Sequence, residues 1–303
     1  MTVDAQKVKK HVFRDVEYNL TEKDVALYAI SIGADKSNLK FVYEQNEQFC
    51  AIPSMGVVFP YDILLQTLDG FEGLEFDPMM LLHGEQYMEI LSPIPTRAKL
   101  VTRAKVNNLL DKGSGALLVV DAITSDKETG KDIVFNQFSL FIRGMGGFDQ
   151  NRSSTAKTAT TTTVDLSTPP KKECDAKFNY KTSTDQAILY RLAGGDLNPL
   201  HVDPEMSKLG GFDVPILHGL CTFGIACRSI LAQYCDNDPS RFKSMRVRFS
   251  KHVFPGETIQ TQMWTIPQAP NKVIFNSLVL ERPGAYPLTG GIAEIIPSSK
   301  SKL

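Results

Sequence analysis

The chain has no apolar run near the roughly 20 residues that a membrane-spanning helix needs. Its N-terminus is charged at once, with Asp4, Lys7, Lys9 and Lys10, and so lacks the apolar core of a secretory signal. Cysteine is sparse: Cys50, Cys174, Cys221, Cys227 and Cys235 are odd in number and form no C-x-x-C pair. That spacing suits neither a disulfide framework nor a zinc site, so free thiols are expected. Charge of one sign is also missing, since 33 Lys+Arg against 34 Asp+Glu leave a net charge of -1. Nothing global therefore selects a nucleic acid or an anionic membrane as partner. What is present, 42% hydrophobic and 22% charged residues over 303 positions, fits a globular protein with a sizeable core.

One stretch breaks the pattern. Residues 149–173 are rich in Ser and Thr, poor in large apolar groups, and contain Pro169-Pro170. Such a segment cannot bury enough surface to offset its ordering entropy and reads as a linker. It divides the chain into residues 1–148 and 174–297, with a polar tail at 298–303. The two halves look alike. Each opens with a capped amphipathic helix, after Thr21 in the first and after Thr182 to Asp185 in the second. Glycine follows both, at Gly33 and at Gly194-Gly195. Residues 86–106 then parallel 246–266 as strand, Pro-containing turn and strand, and further β-rich runs follow. Residues 217–235 are apolar nearly all round, as a helix buried on most sides would be. At the corresponding place the first half has a stretch, 52–76, broken by Pro53, Gly56, Pro60, Gly70 and Gly73. Each half thus reads as a curved antiparallel sheet with helical material on it, the long central helix surviving only in the second.

The richest chemistry lies at Gly194-Gly195-Asp196-Leu197-Asn198-Pro199-Leu200-His201. The glycines end a helix, and Pro199 keeps Asn198 out of the α region. A short new helix is expected from Asp203-Pro204. Asp196, Asn198 and His201 are thereby displayed on irregular backbone, where a carboxylate and an imidazole can converge on one small molecule. Such a pair suits proton transfer to and from water. Taken alone, it serves more often as a turn cap and a satisfied histidine. Leu217-His218-Gly219 opens the apolar helix, where free N–H groups and the helix dipole favour developing negative charge. Gly219 could equally do no more than permit tight helix–sheet packing.

The segment Tyr190 to His201 closely resembles the signature of the R-specific enoyl-CoA hydratases. This family includes MaoC-like dehydratases and the hydratase unit of peroxisomal multifunctional β-oxidation enzymes. The resemblance extends to Pro215-Ile216-Leu217-His218-Gly219, to Phe249 through Glu257, and to His83-Gly84-Glu85-Gln86-Tyr87, and so covers nearly the whole chain. It implies an α+β double hot-dog fold of two curved antiparallel sheets, each built to wrap a central helix. It further implies that Asp196 and His201 hold and activate a water, that Asn198 orients the site, and that the Gly219 N–H forms an oxyanion hole. The activity implied is hydration of trans-2-enoyl-CoA to (3R)-3-hydroxyacyl-CoA. The first half, with Ser31-Ile32-Gly33-Ala34-Asp35 in place of the signature, would be catalytically dead and would make room for a long acyl chain. No metal-ligand spacing is visible, and the reaction needs neither metal nor redox cofactor. A homodimer is the family's habit.

Lys251, Arg246 and Arg248 are candidates for the CoA phosphates, or ordinary strand-face charges. Ser301-Lys302-Leu303 at the C-terminus reads as a peroxisomal address recognised by an import receptor. Two rival functions share the fold, a non-catalytic acyl-CoA carrier and a hot-dog thioesterase; the Asp-x-Asn-Pro-x-His pattern favours hydration.

Overall fold

A computed structural model describes residues 3–149 and 168–296. The centre of the expected linker and the terminal Ser301-Lys302-Leu303 lie outside the described residues. The helices are α1 (Ala5–Lys9), α2 (Glu22–Ser31), α3 (Leu39–Val42), α4 (Tyr61–Leu68), α5 (Gln186–Gly194), α6 (Pro204–Leu209) and α7 (Gly219–Tyr234). The first half contributes strands β1 (Val16–Leu20), β2 (Leu81–Ile90), β3 (Ala98–Asp111), β4 (Gly115–Asp126) and β5 (Asp132–Arg143). The second contributes β6 (Ala176–Lys181), β7 (Phe242–Phe249), β8 (Thr258–Ile266), β9 (Ala269–Val279) and β10 (Leu288–Ile295).

The strand order is β1-β3-β4-β5-β2-β7-β10-β9-β8-β6. Read outward from the centre, the two halves have the same order, which makes the repeat in the sequence a structural duplication. The neighbours pair antiparallel throughout, and β2 pairs with β7 in the register Glu85 to Arg248 and Met88 to Met245. The two expected sheets are therefore joined edge to edge into one ten-stranded sheet. Pairing β2 with β7 removes the two inner edges that would otherwise stay open.

Local sequence chemistry explains the helices. Thr21 and Asp24 form a reciprocal capping box that starts α2. Asp203 accepts from the N–H groups of Glu205 and Met206 at the start of α6, with Pro204 in its first turn. In α7 every residue from Leu220 to Leu231 is buried. This helix lies against β7, β8 and β10 and anchors the larger hydrophobic cluster, with Phe223, Ile225, Ile230, Met245, Val247 and Phe275 at its centre. Full burial of side chains of this size stabilises by about 1.5–3 kcal/mol each.

The broken stretch of the first half folds as a 3-10 turn, Pro53–Val57, followed by α4. Residues 51–61 are all buried. The 3-10 turn packs against α7, β2 and β5. A second cluster, including Val8, Phe13, Ile63, Phe71 and Leu74, covers the first half-sheet where the second half has its long helix.

Helices α2 and α5 pack together between the halves. The rings of Tyr28 and Tyr190, at matching positions of the repeat, meet at 6.3 Å. The Gln186 amide donates to the Ser31 carbonyl at 2.6 Å. Among the described residues no helix is long and apolar enough to cross a membrane. The architecture is an α+β double hot-dog with its intact central helix in the second half.

Candidate active site

Helix α5 ends because Gly195 adopts the left-handed conformation, φ 69°, which costs glycine little. The next residue, Asp196, is turned back on itself: its Oδ1 accepts the Asn198 N–H at 3.0 Å. Asn198 in turn accepts the Leu200 N–H at 3.0 Å and caps the 3-10 turn Pro199–His201. Two linked side-chain turns thus set the spacing between Asp196 and His201. Asn198 thus shapes the backbone between them, which is how Asn competes with helix formation.

His201 is buried, and its Nδ1 lies 2.8 Å from the Ile216 carbonyl. A carbonyl can only accept, so Nδ1 carries the proton and the neutral ring presents its lone pair at Nε2. The ring lies on that of His218, with centroids 3.7 Å apart and planes at 29°. His218 precedes Gly219 at the start of α7 and is 1% exposed. Its Nε2 is 3.8 Å from Asp196 Oδ2. That contact is not an ion pair, because burial, reinforced by neighbouring His201, drives the His218 pKa down to about 2. Burial also lowers the pKa of His201, against the opposing pull of Asp196 and of the Ile216 carbonyl. Both imidazoles are neutral at pH 7.

The donor atoms of Asp196, His201 and His218 lie within 4.8 Å of one another, a set that by residue type could hold a metal. The stacking works against it. Each imidazole lone pair lies in its ring plane, so two stacked rings present theirs side by side rather than converging on one ion.

Gly219 begins α7, and no side chain caps that helix. The Cys221 N–H already donates to the His218 carbonyl at 3.1 Å, and the Gly219 N–H at the first position carries the positive end of the helix dipole. A Cβ on Gly219 would come within 3.0 Å of the Phe249 ring. Phe249 is backed in turn by His83, whose ring meets it edge-on at 4.9 Å. Burial takes the His83 pKa down to about 4, so this first-half histidine acts as a neutral packing element behind Phe249.

A residue that the sequence analysis did not single out completes the site. The Tyr61 hydroxyl, from the start of α4, donates to Asp196 Oδ1 at 2.5 Å. Burial, and then the charge of Asp196, push the Tyr61 pKa far above its ordinary value, so the phenol remains a donor. Its only sequence signal is a tyrosine after Pro60 in a broken apolar stretch, which says nothing about a partner 135 residues away.

Of the three cations considered for phosphate binding, two are placed elsewhere. Met245, Val247 and Phe249 face the core, so Arg246 and Arg248 project from the other face of β7. There Arg246 Nε donates to Glu85 Oε1 at 2.7 Å and Arg248 Nε to Glu85 Oε2 at 3.2 Å. They are held across the β2–β7 seam, on the strand face opposite Met245, Val247 and Phe249. Lys251 is exposed on the loop between β7 and β8. That loop is tied to the approach to α7 by the Leu217 N–H, which donates to the Val253 carbonyl at 2.7 Å.

Residues 18–144 match the model of the MFE-2 hydratase 2 N-terminal domain, and residues 165–277 match the MaoC like domain. A probable enoyl-CoA hydratase 2 of Dictyostelium discoideum is 54% identical over 100% of both chains. A peroxisomal enoyl-CoA hydratase 2 of Arabidopsis thaliana is 38% identical over 90% of this chain and 89% of its own. Among solved structures, a MaoC-like dehydratase from Phytophthora capsici superposes with a TM-score of 0.83 at 35% identity, over 98% of this chain and 100% of that one. With both halves matched and relatives this similar over the full length, this chain belongs to the enoyl-CoA hydratase 2 branch of the MaoC-like dehydratases.

Proposed function

We propose that this protein adds water across the double bond of trans-2-enoyl-CoA thioesters to give (3R)-3-hydroxyacyl-CoA. The observation that carries this reading is the gathering of Asp196, His201 and His218 within 4.8 Å of one another, directly before the uncapped start of α7 at Gly219. The water sits between Asp196 and His201. As its oxygen bonds to the β carbon, one of the two takes its proton. The electron pair of the double bond moves toward the thioester oxygen, where the Gly219 N–H stabilises the developing enolate. The α carbon then takes a proton from the pair, so that H and OH have been added and the site is restored. The buried surroundings strengthen each of these electrostatic contacts.

Lys251 is the candidate for a CoA phosphate, being an exposed cation on the loop beside α7. Catalysis belongs to the second half, which carries the Asp196-to-His201 motif, and the first half serves the acyl chain. A peroxisomal address fits Ser301-Lys302-Leu303 and the peroxisomal Arabidopsis relative. A homodimer fits the exposed Ile188 and Leu192, one turn apart on α5.

The test is to incubate the purified chain with trans-2-decenoyl-CoA, follow loss of enoyl absorbance and determine the product configuration. Rapid loss with R product supports the reading. S product removes the stereochemical assignment, tight binding without loss makes the protein a carrier, and release of free CoA makes it a thioesterase.

A further inference from the structure

The bond from Tyr61 to Asp196 has no counterpart in the reasoning from the second-half motif. It crosses from the half that carries no catalytic signature to the carboxylate on which the chemistry depends. Asp196 Oδ1 receives two donors, the Tyr61 hydroxyl at 2.5 Å and the Asn198 N–H at 3.0 Å. Oδ2 receives no hydrogen bond among the described residues, and the His218 ring is 3.8 Å away. The carboxylate is therefore asymmetric, one oxygen saturated and the other open toward the imidazoles.

The tyrosine is held as firmly as its partner. It is 8% exposed. Its N–H donates to the Val58 carbonyl at 3.1 Å, and the chain before it is buried from Ala51 onward. A donor fixed by packed backbone is preorganised, which is what a positioning role requires.

We propose that Tyr61 is a positioning residue of the hydration reaction: by occupying Oδ1 it orients the Asp196 carboxylate and leaves Oδ2 as the oxygen that holds the reacting water. The inference rests on the hydratase reading above and deepens it, since it makes the first half a contributor to the catalytic centre. The groups packed around Asp196 are Tyr190 of α5, His201 of the 3-10 turn and His218 at the start of α7.

The experiment compares the full-length wild type with Tyr61→Phe, which keeps the ring and removes only the donor. The measurements are kcat, KM and the thermal midpoint. The expected result is a fall in kcat of roughly tenfold, as for loss of a hydrogen bond to a charged group. KM and the thermal midpoint should stay close to wild type, because the donor touches the carboxylate and not the substrate. A variant with wild-type kcat overturns the proposal. So does a fall in kcat that comes with a lowered thermal midpoint, which would make Tyr61 a packing residue only. If the wild type itself fails to hydrate enoyl-CoA, it is the hydratase reading that falls.

Discussion

His201 lies flat on His218, ring centroids 3.7 Å apart, with its Nδ1–H committed to the Ile216 carbonyl. Two buried imidazoles in this arrangement cannot both be charged: desolvation lowers both pKa values, and His201 adds to the effect at His218. The Ile216 carbonyl fixes the tautomer of His201, and the stack fixes the plane of its ring.

Asp196→Asn and His201→Asn are each expected to lower kcat by about 10²–10⁴-fold, the usual range for removing an acid–base group. Neither residue belongs to a hydrophobic cluster, although His201 is buried, so circular dichroism and the thermal midpoint should change little. Steady-state assay on a trans-2-enoyl-CoA checks this, and near-normal turnover in either variant removes that residue from the chemistry.

Gly219→Ala places a methyl group 3.0 Å from the Phe249 ring. The ring must shift, and the substrate loses its close approach to the α7 N–H. A drop in kcat of roughly 10²-fold is expected, comparable to loss of one oxyanion donor, with a stability cost of about 1–3 kcal/mol from overpacking. Urea unfolding and turnover measured on the same sample separate the two effects.

Stability should fall as the pH drops below neutrality. The pKa of His218 is lowered to about 2 and that of His83 to about 4, while the unfolded chain titrates them near 6.5. Below pH 6.5 the unfolded state binds more protons than the folded one. Each histidine then withdraws about 1.4 kcal/mol per pH unit until its folded value is reached. Thermal melts between pH 7 and pH 5 measure the slope, and His83→Phe should make it shallower. The activity limb that belongs to His201 is expected below pH 6.5, since its shift has the same direction.

Glu85 and Lys251 are predicted to separate structure from substrate binding. Glu85→Ala leaves Arg246 and Arg248 without their shared partner at the β2–β7 seam and should cost about 1–3 kcal/mol of stability with KM unchanged. Lys251→Ala should leave stability alone and raise KM for the CoA thioester. The reverse pattern would return the phosphate role to the arginines.

Removing Leu303 is expected to leave activity intact and to send the protein to the cytosol, because the address is read from the last three residues. Fluorescence microscopy of a tagged variant decides it. Continued import would require a different signal or a partner that carries the chain in.

The sequence by itself determined whatever is encoded at short range. Caps at Thr21 and Asp203, the helix stops at glycine, the alternation of β2, β3, β7 and β8, and the Asp196-to-His201 spacing all depend on neighbours within a few residues. The motif was legible because Gly195 and Pro199 act locally on the backbone. Strands β1, β6 and β10 were not singled out: they are short or glycine-bearing, and β10 carries Gly290 and Gly291 where a regular strand would show alternation. Only the tertiary structure decided that the half-sheets merge at β2 and β7, that Arg246 and Arg248 face Glu85 rather than the site, and that His218 lies on His201. It alone brought Tyr61 to Asp196 across 135 residues. The reason is that local periodicity tells which face of an element is buried, while the partner across that face depends on how two distant halves pair.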